Sequence, residues 1–197
     1  MVIAVEGLDG SGKSTIAKNL SKKLDFIYVE KPLKYLFANN NSDGYEELMS
    51  LAKKIYEVKS DSIRASFIGM GLLAAYDKFK DQNIVLDRHF LSNYFWNGSE
   101  ESKYIFDGLI KTIGKPDLTI ILYASPEERY QRIKKRDQND PDLNDKDMLI
   151  DGYPKMIDFA NENNFNYLYV DTSNKDEKEV LEEILNYINN LNNKRNR

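Results

Sequence analysis

Apolar residues along this chain fall into two alternating rhythms. Short continuous runs occur at Val2–Val5, Phe26–Val29, Ile84–Leu86, Leu118–Tyr123 and Phe165–Val170. Their length and their lack of alternation predict strands buried on both faces, as in a parallel sheet. Longer stretches with helical spacing separate them. Ile16, Ala17, Leu20 and Leu24 share one face of residues 14–24, and Ile63, Phe67, Met70, Leu73, Ala74 and Phe79 give residues 61–80 a broad apolar face. Further helices are predicted over 45–59, 100–113, 126–136, 151–164 and 178–191. Ser125-Pro126-Glu127-Glu128 has the cap, proline and acids of a helix start, and Pro154 suits a first helical turn. Residues 39–44 and 137–147 have loop composition, the second being acidic and containing Pro141, and 192–197 reads as a frayed tail. Strand–helix alternation over 197 residues predicts one α/β domain: a three-layer fold with a five-stranded parallel sheet flanked by helices.

The first strand runs directly into Gly7-Leu8-Asp9-Gly10-Ser11-Gly12-Lys13-Ser14, which fits G-x-x-x-x-G-K-[ST] between a strand and a helix. Glycines let the backbone curl so that successive N–H groups point at phosphate oxygens, and the following helix adds its positive end. Gly7, Asp9, Gly10, Ser11, Gly12, Lys13, Ser14 and Thr15 therefore form the expected cradle for ATP. Lys13 would reach the β- and γ-phosphates, and the Ser14 hydroxyl would hold Mg²⁺.

Composition narrows the chemistry around this loop. Without cysteine there is no disulfide, thiolate zinc site or cysteine nucleophile, and a single histidine, His89, argues against a histidine metal site. A net charge of −4 provides no basic field for nucleic acid or an anionic membrane. The N-terminal apolar run is too short for a signal or a membrane span, so a cytoplasmic protein is expected.

In open α/β sheets ligands gather at the carboxyl ends of the strands. Glu30 stands at such an end, before Lys31-Pro32, where it either faces the crevice or is solvated. Ile84-Val85-Leu86 ends in Asp87-Arg88-His89. An acid there suits Mg²⁺, directly or through water, and the planar fork of Arg88 suits phosphoryl oxygens. His89, lacking a partner base or ligand set, reads as a packing or hydrogen-bonding residue. Arg64, near the start of a long helix, is either a surface charge or a clamp on the acceptor. The segment 92–98, with Ser92, Asn93, Tyr94, Phe95 and Trp96, could stack on a base or pack in the core. Arg132 and Arg136 lie four apart on one helix face and lead into the acidic loop, which reads as a lid over about 132–148 closing on the transferred phosphate.

These segments resemble the thymidylate kinase and deoxynucleoside kinase group of P-loop kinases. Glu6-Gly7-Leu8-Asp9-Gly10-Ser11-Gly12-Lys13-Ser14-Thr15 is similar to the thymidylate kinase phosphate loop, and Asp87-Arg88-His89-Phe90-Leu91-Ser92 to its second motif. The resemblance implies the strand order 2-3-1-4-5, contact of Asp9 with the acceptor's sugar 3′-hydroxyl, and a homodimer for which the helix 61–80 could supply the interface. Gly10, where one class of the family has arginine, implies that lid arginines, here Arg132 and Arg136, act instead. The implied activity is ATP-dependent conversion of dTMP to dTDP. Lys13, Asp87, Arg88, Arg132 and Arg136 would be catalytic, and Asp9, Glu30, Arg64, Arg88, Ser92 and Asn93 would face the acceptor. The chain departs from thymidylate kinases at Glu30-Lys31-Pro32-Leu33 and at Phe95-Trp96-Asn97. Its Arg64-Ala65 and Asp87-Arg88 are spaced as in deoxynucleoside kinases, and Glu30 is similar in position to the glutamate of their Glu-Pro motif, which would be the base on a 5′-hydroxyl. A nucleoside acceptor is thus the alternative, and a nucleotide-binding regulatory ATPase the remoter one.

Overall fold

In a computed structural model of the chain, residues 1–36, 42–140, 143 and 150–195 are described. Strands β1 (Val2–Glu6), β2 (Ile27–Glu30), β3 (Ile84–Asp87), β4 (Leu118–Tyr123) and β5 (Tyr167–Asp171) form one sheet in the order β2-β3-β1-β4-β5. All pairings are parallel, with Val5 and Glu30 both opposite Asp87. This register brings Glu6, Glu30 and Asp87 to one edge of the sheet, where the strands hand over to their loops.

Helices cover both faces, which is why the central strands read as unbroken apolar runs. On one face α1 (Lys13–Leu24) and α8 (Glu177–Arg195) pack Ile16, Ala17, Leu20, Val180 and Ile184 against Ile3, Val5, Val85 and Ile120. The other face carries α3 (Asp61–Lys78), α4 (Phe90–Asn97), α5 (Lys103–Ile113) and α7 (Tyr153–Glu162), with Leu72, Phe90, Phe106 and Phe159 over Leu86 and Ile121. Neighbouring strand residues such as Val85 and Leu86 enter opposite clusters, as a period of two requires. Helix α2 (Ser42–Tyr56) adds a small satellite, Leu48 and Ala52 against Phe67. Helix α6 (Pro126–Arg136) starts as expected, with Ser125 Oγ accepting from Glu128 N at 3.2 Å.

Two segments differ from their sequence reading. Residues 90–97, rich in aromatic rings, form a helix whose period is hidden because Phe90, Leu91, Ser92, Asn93 and Asn97 are all buried. The tail beginning at 192 continues α8 to Arg195. Of the loop expected at 39–44, residues 42–44 already belong to α2 and 39–41 lie outside the described residues. Of the expected lid beyond Arg136, residues 141, 142 and 144–148 also lie outside them.

Candidate active site

The phosphate loop leaves β1 at Gly7 and enters α1 at Gly12, the helix's N-cap. Gly7, Gly10 and Gly12 all have positive φ, and at the first two a side chain would also collide with a neighbouring strand or helix. Gly7 has φ +144 and a side chain there would meet Leu122 O at 2.4 Å; Gly10 has φ +82 and would meet Arg129 O at 2.6 Å. The loop is therefore pressed against β4 and α6, and its shape is imposed from outside as well as from within. Tyr153, from α7, braces it further: its hydroxyl accepts from Leu8 N at 3.3 Å and donates to Leu122 O at 2.9 Å.

Charges converge above this loop. Lys13 Nζ donates to Leu8 O at 2.7 Å and lies 3.7 Å from Asp9 Oδ1. The Arg88 guanidinium donates to the same Asp9 oxygen. Burial opposes the Asp9 charge, but Lys13 and Arg88 outweigh it and hold the carboxyl far below the usual range. Burial and then repulsion from Arg88 lower Lys13 to about 8, with Asp9, Asp87 and Glu6 acting in the opposite sense. Lys13 and Arg88 are thus drawn to one carboxyl oxygen of Asp9. Arg88 reaches Asp9 from a turn in which it has φ 81, a left-handed conformation that costs a non-glycine residue about 1–3 kcal/mol.

Asp87, at the end of β3, is buried. Its Oδ2 accepts weakly from the Tyr28 hydroxyl at 3.3 Å, and its Oδ1 takes no hydrogen bond among the described residues. A buried carboxyl oxygen left without a donor beside the phosphate loop fits a role in holding Mg²⁺ together with the Ser14 hydroxyl. Ser14 is exposed at the start of α1, on the loop itself. Among the described residues there is no cluster of three or more His, Asp or Glu side chains able to bind a metal alone, so the phosphates themselves would be needed.

The remaining expected residues divide. Arg64, Asn93 and Asn97 form one connected group: Arg64 Nε donates to Asn97 Oδ1 at 2.9 Å, Asn97 Nδ2 to Asn93 Oδ1 at 2.9 Å, and Asn93 Nδ2 to Ala65 O at 3.1 Å. Arg64 also bonds Asp61 and the carbonyl of Val58. Ser92 turns its hydroxyl inward onto Glu6. Glu30 pairs with Lys34 at 2.6 Å. Arg132 and Arg136 do not meet at one anion. Arg132 bonds Glu128 at 2.9 Å and both Thr172 Oγ1 and Thr172 O, beside a cleft of about 220 Å³ bounded by Gly12, Thr15, Thr172 and Lys175. Arg136, whose side chain is 63% exposed, pairs with Asp140 at 2.5 Å. His89 is buried and bonds the Tyr76 hydroxyl through Nε2 at 2.9 Å, as expected of a packing residue.

Glu6, Tyr28 and Tyr153 were not singled out in the sequence. Glu6 carried a usable signal, since an acid ending an apolar strand is the same feature that marked Asp87. Nothing local marks the two tyrosines, whose partners are 59 and 145 residues away.

Fold and loop together define a P-loop kinase, a protein that moves phosphoryl groups between nucleotides and small acceptors. The thymidylate kinase family model matches residues 5–184, and the chain belongs to that family. It is 28% identical over 205 residues to a probable thymidylate kinase of Methanocaldococcus jannaschii, covering 97% of each chain. It is 33% identical over 190 residues to a candidate adenylate kinase of Thermococcus kodakarensis, covering 95% of this chain and 85% of the relative. Among solved structures it is similar to thymidylate kinase from Candida albicans (TM-score 0.70, 20% identity, 98% and 92% coverage). It is also similar to deoxyadenosine kinase from M. mycoides with bound dATP (TM-score 0.65, 23% identity, 96% and 100% coverage). At those identities the two structures attest the fold alone. No helix among the described residues is long and apolar enough to cross a membrane.

Proposed function

We propose that this chain is an ATP-dependent thymidylate kinase, transferring the γ-phosphoryl group of ATP to dTMP. Family membership supports the reaction class. The observation that carries the site reading is the sharing of Asp9 by Lys13, on the donor loop, and Arg88, from the β3 end. Donor and acceptor phosphates arriving between these cations would meet across a few ångströms, and positioning is most of what phosphoryl transfer asks of a protein.

In this reading Gly10, Ser11, Gly12, Lys13, Ser14 and Thr15 hold the ATP phosphates, while Arg88 and Arg64 receive the acceptor phosphate. Ser14 and Asp87 would hold Mg²⁺, which when bound would supply neutralisation of phosphate charge. An oxygen of the dTMP phosphate attacks the γ-phosphorus, the bond to the β,γ-bridging oxygen breaks, and ADP departs with that electron pair. The attacking oxygen is already anionic near neutral pH, so no general base is required. Arg132 and Arg136 would meet the transition-state charge on lid closure. The exposed Ile63 and Met70, beside an apolar groove of about 330 Å³ with Ile55 and Phe67, support a homodimer through α3. Sedimentation equilibrium should then return twice the chain mass at micromolar concentration, and a monomer would remove that part of the proposal.

Coupled ADP release with Mg-ATP tests the whole reading, with dTMP, dAMP, AMP and the corresponding nucleosides as acceptors. Fastest turnover on dTMP is expected. Turnover restricted to adenine monophosphates would reassign the base, and turnover on nucleosides alone would replace the reading by a deoxynucleoside kinase.

A further inference from the structure

A wholly buried carboxylate stands outside the mechanism just described. Glu6 ends β1 and is 0% exposed. Its Oε1 accepts from Leu91 N at 2.7 Å, and its Oε2 accepts from Ser92 N at 3.1 Å and from the Ser92 hydroxyl. The two backbone donors are the second and third N–H groups of α4. The helix's own N-cap residue, His89, makes no side-chain capping bond. The cap is supplied by a residue 85 positions away in the chain, whose charge is raised in energy by burial.

A serine at position 89 would cap α4 without burying a charge. The distant carboxylate does something a local cap does not. Between β3 and α4 lies the turn in which Arg88 takes its left-handed conformation. One side of that turn is fixed to β1 by Arg88 N donating to Val5 O at 3.0 Å. The other side is fixed to the next residue of the same strand by the Glu6 bonds. A strained turn persists only where its surroundings over-determine it, and here both anchors come from the two residues just before the phosphate loop. Resting on the role proposed for Arg88, we infer that Glu6 is a positioning residue: it clamps the Asp87–Arg88–His89 turn to the root of the phosphate loop and so sets the distance between the Arg88 guanidinium and the donor phosphates.

Glu6→Gln preserves size and one acceptor but turns an amide NH₂ toward backbone N–H groups. It should lower kcat about 10²-fold, as a displacement of about 1 Å does, while KM for ATP changes little because the loop itself is intact. Thermal stability should fall modestly, since the amide NH₂ faces backbone N–H groups and leaves a buried donor unsatisfied. In an Arg88→Ala background the same substitution should cost little further, because the group it positions is gone. Amide hydrogen exchange at Leu91 and Ser92 should quicken in Glu6→Gln, whatever the acceptor. A folded Glu6→Gln enzyme with wild-type kcat would overturn the inference, as would a loss equally large with and without Arg88. Wild-type turnover in Arg88→Ala would instead overturn the reading of Arg88 on which the inference rests. Should Glu6→Gln fail to fold, Ser92→Ala decides: it removes the hydroxyl donor to Glu6 and should lower kcat with unchanged KM, and an unchanged kcat there counts against the clamp.

Discussion

Asp9 shows how much one side chain can report at the scale of the residue. It touches Lys13 and Arg88 together, so the two cations share an anion of the protein. Arg88→Ala should lower kcat with dTMP by about 10³-fold, at the lower end of what an arginine on the transferring phosphoryl group contributes. Single-turnover kinetics would separate that loss from slower product release. Glu30 gives the opposite expectation. It is tied to Lys34 and part exposed, and a phosphate acceptor needs no base. A general base contributes about 10²–10⁴-fold, so Glu30→Gln with near-wild-type kcat on dTMP is the outcome expected of a monophosphate kinase. A drop of that size, measured with a nucleoside as acceptor, would favour the nucleoside reading.

At the scale of the element, the phosphate loop and α6 are one assembly. The missing Cβ of Gly10 lets the backbone of Arg129 approach, and Arg129 is itself buried and donates to Ile150 O at 2.9 Å. Gly10→Ala combines a left-handed alanine with this close contact, so it should destabilise the protein by at least about 1–3 kcal/mol and raise KM for ATP. Urea denaturation and steady-state kinetics measure the two effects. Further along α6, Arg136 pairs with Asp140 and would have to exchange that partner for phosphate oxygens to act. If it does, Arg136→Ala lowers kcat by orders of magnitude with little change in nucleotide Kd by isothermal titration. A change confined to KM would remove it from the lid.

At the scale of the whole molecule, His89 links the site to acid stability. Burial lowers its pKa from 6.5 to about 3. Between those values the unfolded chain binds a proton that the folded chain refuses, so the contribution is complete above pH 6.5 and is lost as pH falls toward 3. The nucleotide-free protein should lose stability there by up to about 1.4 kcal/mol per pH unit from this group. His89→Phe, which keeps the ring contact with Phe90, should flatten that limb in thermal scans, and equal slopes would refute the assignment. The sheet, its flanking helices and the phosphate loop were legible in the chain because each depends on local pattern: unbroken apolar runs, helical spacing, and glycines where the backbone must curl. Asp87 and Arg88 were legible for the same reason, as an acid and a fork at a strand end. What tertiary structure alone decided are the long-range pairings: Glu6 with the start of α4, Tyr28 with Asp87, Tyr153 with the loop, and Arg132 with Thr172 rather than with Arg136. Those depend on register and on which helix lies over which strand, and a hydrogen bond spanning 85 residues leaves no periodicity for either partner to show.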